Sequence, residues 1–169
     1  MATEKVLVIM GSDSDFPVME GCFKLLKMFG VDYEVHIASA HRSPEKASKL
    51  ASEAKDNGFS VIIAAAGLAA HLAGVLASNT ILPVIGVPCK GGALNGVDAL
   101  YATVQMPTGI PVATVAIDGG SNAAILAVQM LAIKNEELSS RLIEYKKELA
   151  SSVDTKETKL QDKLKEAGL

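Results

Sequence analysis

Aromatic residues and cysteines are scarce in this sequence of 169 residues. Phe, Trp and Tyr together account for 4% of the chain, and tryptophan is absent. Flavin sites usually flank the ring with aromatic side chains, so this composition argues against a flavin-binding module. The two cysteines, Cys22 and Cys89, form no CxxC pair and lack the spacing of a metal site. We therefore expect reduced thiols rather than a disulfide.

Basic segments and long hydrophobic runs are missing as well. The formal net charge is −3 and no Lys/Arg-rich run is present, which argues against a nucleic-acid-binding surface. The first residues contain no basic segment followed by a long apolar run, so we expect no secretory signal and a cytoplasmic location. The longest apolar run, residues 61–77, is interrupted by glycines and by His71, which argues against a membrane span.

Charged residues are distributed unevenly along the chain. Between residues 59 and 133 the only charged side chains are Lys90, Asp98 and Asp118, whereas 16 of the 36 residues from Lys134 onward are charged. Helices on a protein surface need a polar face, and one domain of this size cannot bury so long an uncharged stretch within itself. We therefore expect a homo-oligomer with extensive apolar interfaces.

Apolar, β-branched segments alternate with amphipathic segments along most of the chain. Strands are predicted at residues 5–10, 32–38, 60–65, 83–87 and 112–117. A helix is predicted after each strand, the first ending near Gly30 and the others covering residues 43–57, 69–78, 97–105 and 122–133. This alternation predicts an α/β fold with a three-layer, doubly wound parallel sheet of the flavodoxin-like or Rossmann-like type. We expect a single domain over residues 1–169.

A charged C-terminal extension, residues 134–169, follows the alternating part. Asn135 is predicted to cap an extra helix, because leucines and Tyr145 follow at four-three-four spacing. Asp154 and Glu157 are predicted to open a further short helix. The amphipathic pattern fits a strap onto a neighbouring subunit and a solvated terminal helix equally well.

The loop around His41 and Arg42 combines a titratable and a permanently charged side chain. It follows the predicted strand at 32–38, and Ser43 is predicted to be the N-cap of the next helix, with Pro44 at its first position. His41 and Arg42 would then lie near the positive end of a helix dipole, a setting that suits an anion. Imidazole next to guanidinium adds acid–base chemistry. The loop alone fits equally well a capped turn with two exposed polar side chains.

Four polar or glycine-rich loops are predicted to converge at one edge of the sheet. They cover residues 11–15, 39–43, 67–71 and 88–96. In an open α/β sheet, ligands bind beyond the carboxyl ends of the strands, where these loops lie. Gly11 allows close approach of a ligand, Ser12 and Ser14 can donate to phosphate oxygens, and Asp13 and Asp15 suit ribose hydroxyls or a helix cap. The dinucleotide fingerprint, the Walker loop and the GxSxG elbow are all absent.

The three histidines differ in their candidate roles. His41 is the best candidate for a general acid or base. His71 follows the third strand and points toward the same crevice, either as a site residue or as a satisfied interior histidine. His36 lies mid-strand and is predicted to be structural. No Cys, Asp or Glu stands at metal-ligand spacing from them, so we expect no metal site.

Taken together, these loops resemble the PurE family of purine biosynthesis. The resemblance extends from Val6 to about Ile133, and several motifs in the right order are far more specific than any one alone. The motifs are Gly11-Ser12-Asp13-Ser14-Asp15, Ser39-Ala40-His41-Arg42-Ser43-Pro44, Ala66-Gly67-Leu68-Ala69-Ala70-His71-Leu72, Pro83-Val84-Ile85-Gly86-Val87-Pro88, Leu94-Asn95-Gly96-Val97-Asp98, Val104-Gln105-Met106-Pro107 and Asn122-Ala123-Ala124. Ala73, where the family usually has proline, and the loop Cys89-Lys90-Gly91-Gly92 depart from the family pattern.

The family has two branches. The mutase branch converts N5-carboxyaminoimidazole ribonucleotide (N5-CAIR) into 4-carboxy-5-aminoimidazole ribonucleotide (CAIR), and the other branch carboxylates aminoimidazole ribonucleotide (AIR) directly with carbon dioxide. The mutase branch carries Ser-Ala-His-Arg and a histidine after the third strand. The carboxylase branch has lysine for the arginine and a Gly-Arg-Ser-Asn stretch for the histidine motif. Arg42 and His71 therefore imply a mutase, with the direct carboxylase as the alternative.

The resemblance also implies roles for the loop residues. His41 would be the general acid/base and His71 a supporting catalytic residue. Ser12, Asp15 and Arg42 would bind the ribonucleotide, and Ser39, Gly67 and loop 88–94 would complete the pocket. Gly11, Ser14 and Ala70 are further substrate-binding candidates. The resemblance implies a homo-octamer without metal or cofactor, and leaves open whether N5-CAIR synthetase hands over the labile substrate.

Overall fold

The computed structural model describes residues 5–169. Its strands are β1 (Lys5–Met10), β2 (Asp32–Ile37), β3 (Phe59–Gly67), β4 (Val84–Cys89) and β5 (Ala113–Thr114). Its helices are α1 (Phe16–Met28), α2 (Pro44–Glu53), α3 (Leu72–Ser78), α4 (Val97–Val104), α5 (Gly120–Ala132) and α6 (Glu136–Glu166). The strands form one parallel sheet in the order β2-β1-β3-β4-β5. The predicted doubly wound α/β fold is confirmed, and the strand order is the flavodoxin-like one.

The central strands are apolar because helices cover both faces of the sheet. From Val6 to Met10, β1 is buried throughout, and β3 is buried from Val61 to Ala65. Strand β2 lies at the sheet edge, and Val35 and Ile37 on it remain exposed. The strand predicted at residues 32–38 is therefore a largely exposed edge strand.

Small residues set how closely the helices approach the sheet. On one face, Leu7 and Ile9 pack in a core with the alanines of α2 and with Leu72 and Leu76 of α3. A methyl group on Gly86 in β4 would overlap the Thr103 methyl and lie 2.9 Å from Val112 Cγ1. Only glycine therefore lets α4 pack this closely against β4.

The segment before α3 differs from its prediction. The helix begins at Leu72 rather than at residue 69. Leu68 has a left-handed backbone (φ 54°), and the N–H groups of Ala70 and His71 donate to the carbonyls of Leu68 and Ala69, each at 2.8 Å. Such tight turns are incompatible with a helix. The residues of this segment are small and have high helix propensity, so the sequence predicts a helix where the structure has a turn.

The chain divides into two compact units, one ending at Leu131 and the other covering Ala132–Leu169. In the second unit, Asn135 caps α6 as predicted, since its side chain accepts a hydrogen bond from Leu138 N at 3.1 Å. The prediction of a separate helix opened by Asp154 and Glu157 was wrong, because both lie inside one 31-residue helix. No glycine or proline interrupts it. The hydroxyl of Thr158 bonds back to the carbonyl of Asp154 instead of capping a new helix.

None of the helices in the described part of the chain has the length and apolar character needed to cross a membrane.

Candidate active site

A cleft of about 580 Å³ opens at the carboxyl ends of β1 and β3, where the strand order reverses. Gly11 N donates to Ala65 O at 2.9 Å, which continues the pairing of β1 with β3 to the base of the cleft. Ligands bind at this switch point in open α/β sheets. The residues lining the cleft are Gly11, Ser12, Ser14, Asp15, Ser39, Ala40, His41, Arg42, Ala66, Gly67, Leu68, Ala69, His71, Leu72, Lys90, Gly91 and Gly92.

The loop after β1 is held by a capping box. Ser12 N donates to Asp15 Oδ2 at 3.1 Å, and Ser14 N donates to Ser12 Oγ at 3.3 Å. Asp15 is buried, and this burial, reinforced by the charge of Asp13, raises the pKa of its carboxyl. The backbone N–H groups of Ser12 and Gly11 and the Cys89 thiol partly oppose that rise. One carboxylate oxygen of Asp15 thus fixes the loop.

The loop after β2 is organised by Ser39. Its hydroxyl accepts hydrogen bonds from His41 N at 3.3 Å and from Arg42 N at 3.1 Å. Ser43 occupies the predicted N-cap position of α2, but its side chain makes no cap hydrogen bond. Its Oγ instead accepts from Ser39 N at 2.9 Å. The Ser43 side chain therefore closes the loop instead of capping α2, and the side chains of His41 and Arg42 lie at the cleft.

The two histidines of the cleft form a pair. His41 Nε2 lies 2.9 Å from His71 Nδ1, and the two rings meet edge to face with centroids 5.0 Å apart and planes at 79°. A hydrogen bond at this distance needs one proton between the facing nitrogens, donated by either ring according to its tautomer. The pair can therefore hold a proton at one of two neighbouring positions.

The floor between β3 and β4 is tightly packed. Gly67 pairs with Cys89 in the sheet register, and a Cβ on Gly67 would lie 3.1 Å from Cys89 O. Burial raises the pKa of the Cys89 thiol to about 12, and the nearby carboxylates of Asp15 and Asp118 add to the rise. The thiol is therefore neutral and is no candidate nucleophile.

The predicted site residues come together with one exception. Both His41 and His71 line the cleft, as do Gly11, Ser12, Ser14, Asp15, Ser39, Arg42 and Gly67. Ala70 does not line it, because the turn at residues 68–71 buries its side chain. His36 lies elsewhere, on the edge strand, 3.8 Å from Glu34. Among the residues that the structure describes, no three His, Cys, Asp or Glu side chains are grouped as metal ligands would be.

Sequence reasoning missed Lys90 as an individual site residue. The resemblance indicated only that loop 88–94 completes the pocket. The available signal was its isolation, since Lys90 is the only charged side chain between residues 59 and 97 and directly follows a buried strand.

Comparison with known proteins identifies a family and several relatives. The chain matches the AIR carboxylase family over residues 5–152. It is 54% identical to the N5-carboxyaminoimidazole ribonucleotide mutase of Pyrococcus horikoshii, over 96% of this chain and 93% of that protein. It is 53% identical to the phosphoribosylaminoimidazole carboxylase of Candida glabrata, over 91% of this chain but 27% of that longer protein.

A solved structure supports the same relationship. The crystal structure of PurE from Treponema denticola superposes with a TM-score of 0.83 at 28% identity, covering 93% of this chain and 98% of that one. The family match spans most of the chain, and the sequence similarity extends over nearly the full length of the archaeal mutase. This chain therefore belongs to the AIR carboxylase family.

Proposed function

We propose that this protein is an N5-CAIR mutase, which moves a carboxyl group from the exocyclic nitrogen of an aminoimidazole ribonucleotide to ring carbon 4. The observation that carries the proposal is the His41–His71 pair, 2.9 Å apart and facing a cleft lined with hydroxyls and Arg42. Full-length similarity to proteins named as mutases supports the same reaction. The product would serve purine biosynthesis.

The proposed mechanism needs one proton to change place. Protonation of the carbamate nitrogen by His41 breaks the N–C bond and gives AIR and carbon dioxide. Carbon 4 of the imidazole then attacks the carbon dioxide, and the neutral His41 removes the proton from carbon 4, which restores the aromatic ring. The proton lost from carbon 4 replaces the one given to nitrogen, so the reaction is a balanced isomerisation. Imidazole suits both transfers because it donates and accepts protons near neutral pH.

His71 supports both states of that cycle. In both states the His41 Nε2–H can donate to His71 Nδ1 over the observed 2.9 Å, so His41 Nδ1 is the nitrogen that gives up and regains the proton. The partner thus holds the His41 ring in one orientation while its charge changes.

The cleft floor next to the histidines can retain carbon dioxide. Ala66, Gly67 and Ala69 line it with small side chains, which leave room close to the reacting carbon. Holding a freed reactant beside its target is a proximity effect, worth up to about 7–11 kcal/mol at its theoretical best. The nucleotide phosphate would bind to Arg42 and to the hydroxyls of Ser12 and Ser14, with Asp15 at the ribose.

The direct carboxylase remains the second candidate, because a relative at 53% identity carries that name. Formation of CAIR, followed by its ultraviolet absorbance, separates the two when the reaction starts from N5-CAIR or from AIR. We expect fast conversion of N5-CAIR without added bicarbonate, and conversion of AIR only at very high bicarbonate. Fast conversion of AIR at low bicarbonate, with N5-CAIR inert, would instead assign the carboxylase reaction.

We also propose that the protein is a homo-oligomer, an octamer on the strength of the family resemblance. Helix α4 carries Val97, Tyr101 and Val104 at successive turns, and these side chains are 43%, 61% and 46% exposed. This apolar stripe in a nearly uncharged part of the sequence supports burial against another copy. Tyr101→Glu should lower the mass measured by light scattering relative to Tyr101→Phe.

Two further proposals concern the cellular setting. Cys22 and Cys89 are buried free thiols, which supports a reducing, cytoplasmic location.

Because N-carboxylated amines lose carbon dioxide readily, hand-over from N5-CAIR synthetase would protect the substrate. When N5-CAIR synthetase and active mutase are both present, an added inactive mutase variant would compete for the hand-over. CAIR formation should then slow more than it would if the inactive variant only bound N5-CAIR free in solution.

A further inference from the structure

Among the described residues of the cleft, Lys90 is the one basic group to which the proposed reaction gives no task. It directly follows β4 and belongs to the loop Cys89-Lys90-Gly91-Gly92, which departs from the family pattern. Apart from the histidines, Lys90 and Arg42 are the basic side chains among the described residues that line the cleft. A nucleotide with two anionic groups could use one cation for each.

The position of Lys90 is fixed by the residues around it. Its backbone N–H donates to Asp118 Oδ1 at 2.8 Å, and Asp118 N in turn donates to Pro88 O at 2.9 Å. A Cβ on Gly96 would lie 3.1 Å from Lys90 Cα, so the next turn packs closely behind it. The backbone of Lys90 is therefore anchored, whereas its side chain remains exposed at the cleft.

The sheet order places the two cations on opposite walls. Arg42 follows β2 and Lys90 follows β4, and β1 and β3 lie between these strands. Three strand spacings of about 4.8 Å each separate the two strand ends by about 14 Å. The hydroxyls of Ser12 and Ser14 lie on the Arg42 side, after β1. Lys90 lies on the far side of Gly67 and directly follows Cys89, the residue with which Gly67 pairs in the sheet. The wall that carries Arg42 and the serine hydroxyls therefore suits a phosphate, and the apolar floor extends from that wall to Lys90.

We propose that Lys90 binds the carboxylate of the imidazole, and so makes the site select carboxylated nucleotides over AIR. This inference rests on the proposed function and adds a specificity-determining residue to it. With the phosphate held at Arg42, the ribose places the imidazole over the floor formed by Ala66 and Gly67. Its carboxylate then faces the opposite wall, where an ammonium group is the natural partner.

The test compares the affinity of CAIR with that of AIR by calorimetry, because the two nucleotides share ribose and phosphate and differ in the carboxylate. Lys90→Met should weaken CAIR binding by about 10- to 150-fold, the range of a lost charged hydrogen bond, and leave AIR binding within about threefold. Lys90→Arg should restore the preference for CAIR. Lys90→Gln provides a second neutral variant should the Met variant fold poorly.

Two controls complete the design. Arg42→Met should weaken CAIR and AIR by the same factor, because it removes a contact to the shared phosphate. Lys27→Met, on the last turn of α1 and outside the cleft, removes the same charge and should change neither affinity.

The remaining outcomes overturn the inference. Equal weakening of CAIR and AIR by Lys90→Met would place the ammonium at the phosphate, and unchanged affinities would place it in solvent. Failure of the wild-type protein to bind either nucleotide or to convert N5-CAIR would refute the proposed function itself. In contrast, a wild-type protein that converts N5-CAIR while Lys90→Met keeps its preference refutes only the role of Lys90.

Discussion

Replacement of His71 by leucine tests whether the histidine pair works as a unit. His71→Leu removes the ring that lies 2.9 Å from His41 Nε2 and leaves a side chain of moderate size in an exposed position. A hydrogen bond to a charged group contributes about 1.5–3 kcal/mol. If that contribution orients His41 only while it transfers the proton, kcat should fall by about 10- to 150-fold and KM should change little.

The assay is the initial rate of CAIR formation from N5-CAIR, measured for wild type, both single variants and the double variant. His41→Asn removes the acid/base group, so adding His71→Leu to it should cause almost no further loss. Residues that act through one another are strongly non-additive. His71→Asn, which keeps a donor and an acceptor, should recover part of the rate.

Additive losses in the double variant would refute the reasoning, because they would show that His71 acts independently of His41. An increase in KM with unchanged kcat for His71→Leu would also contradict it, since that result describes a residue that only binds substrate.

Three other changes probe binding and packing. Arg42→Met should weaken nucleotide binding by about 1.5–3 kcal/mol through the lost phosphate contact, as calorimetry would show; unchanged affinity would remove Arg42 from the phosphate site. Burial raises the pKa of Asp15 from its ordinary 3.8, so its contribution to stability is fully present below pH 3.8 and is lost as the pH rises through the raised pKa. Asp15→Asn should therefore raise the unfolding midpoint at pH 7 and abolish this acid-range dependence while weakening nucleotide binding; a lower midpoint would contradict this account. Gly86→Ala should cost about 1–3 kcal/mol in urea unfolding, because the new methyl overlaps Thr103, whose hydroxyl is bonded to Ala99 O; wild-type stability would show that α4 can move.

The fold could be predicted because its signals are local. Apolar runs such as Val6 to Met10 and helix stops such as Gly30, whose φ is 70°, depend on residue type alone. The errors fall where a hydrogen bond within a loop replaces the one expected of a helix. Ser43 has the composition of a cap, but its hydroxyl bonds to Ser39 N instead. Leu68 adopts a left-handed backbone, which a leucine does not indicate. The turn at Leu68 moves the start of α3 to a later residue and buries the Ala70 side chain.

The candidate site could be located from sequence, but its contacts could not. Parallel strands bring the loops containing Gly11, His41 and His71 to one edge of the sheet, so their convergence follows from topology. The 2.9 Å contact between the two imidazoles depends on the turn at residues 68–71, whereas the predicted helix already begins at residue 69. Lys90 could not be identified as a site residue, because a single lysine in a glycine-rich loop has the same sequence pattern as any solvated lysine.

The central claim is that the imidazole of His41 carries the proton between nitrogen and carbon 4. The most direct test is the rate of CAIR formation from N5-CAIR by His41→Asn, at nucleotide concentrations shown by calorimetry to saturate the variant. We predict turnover about 10²- to 10⁴-fold below that of wild type, with nucleotide affinity within about tenfold of wild type because the phosphate contacts remain. A saturated His41→Asn protein that still forms CAIR at a rate near that of wild type would contradict the claim.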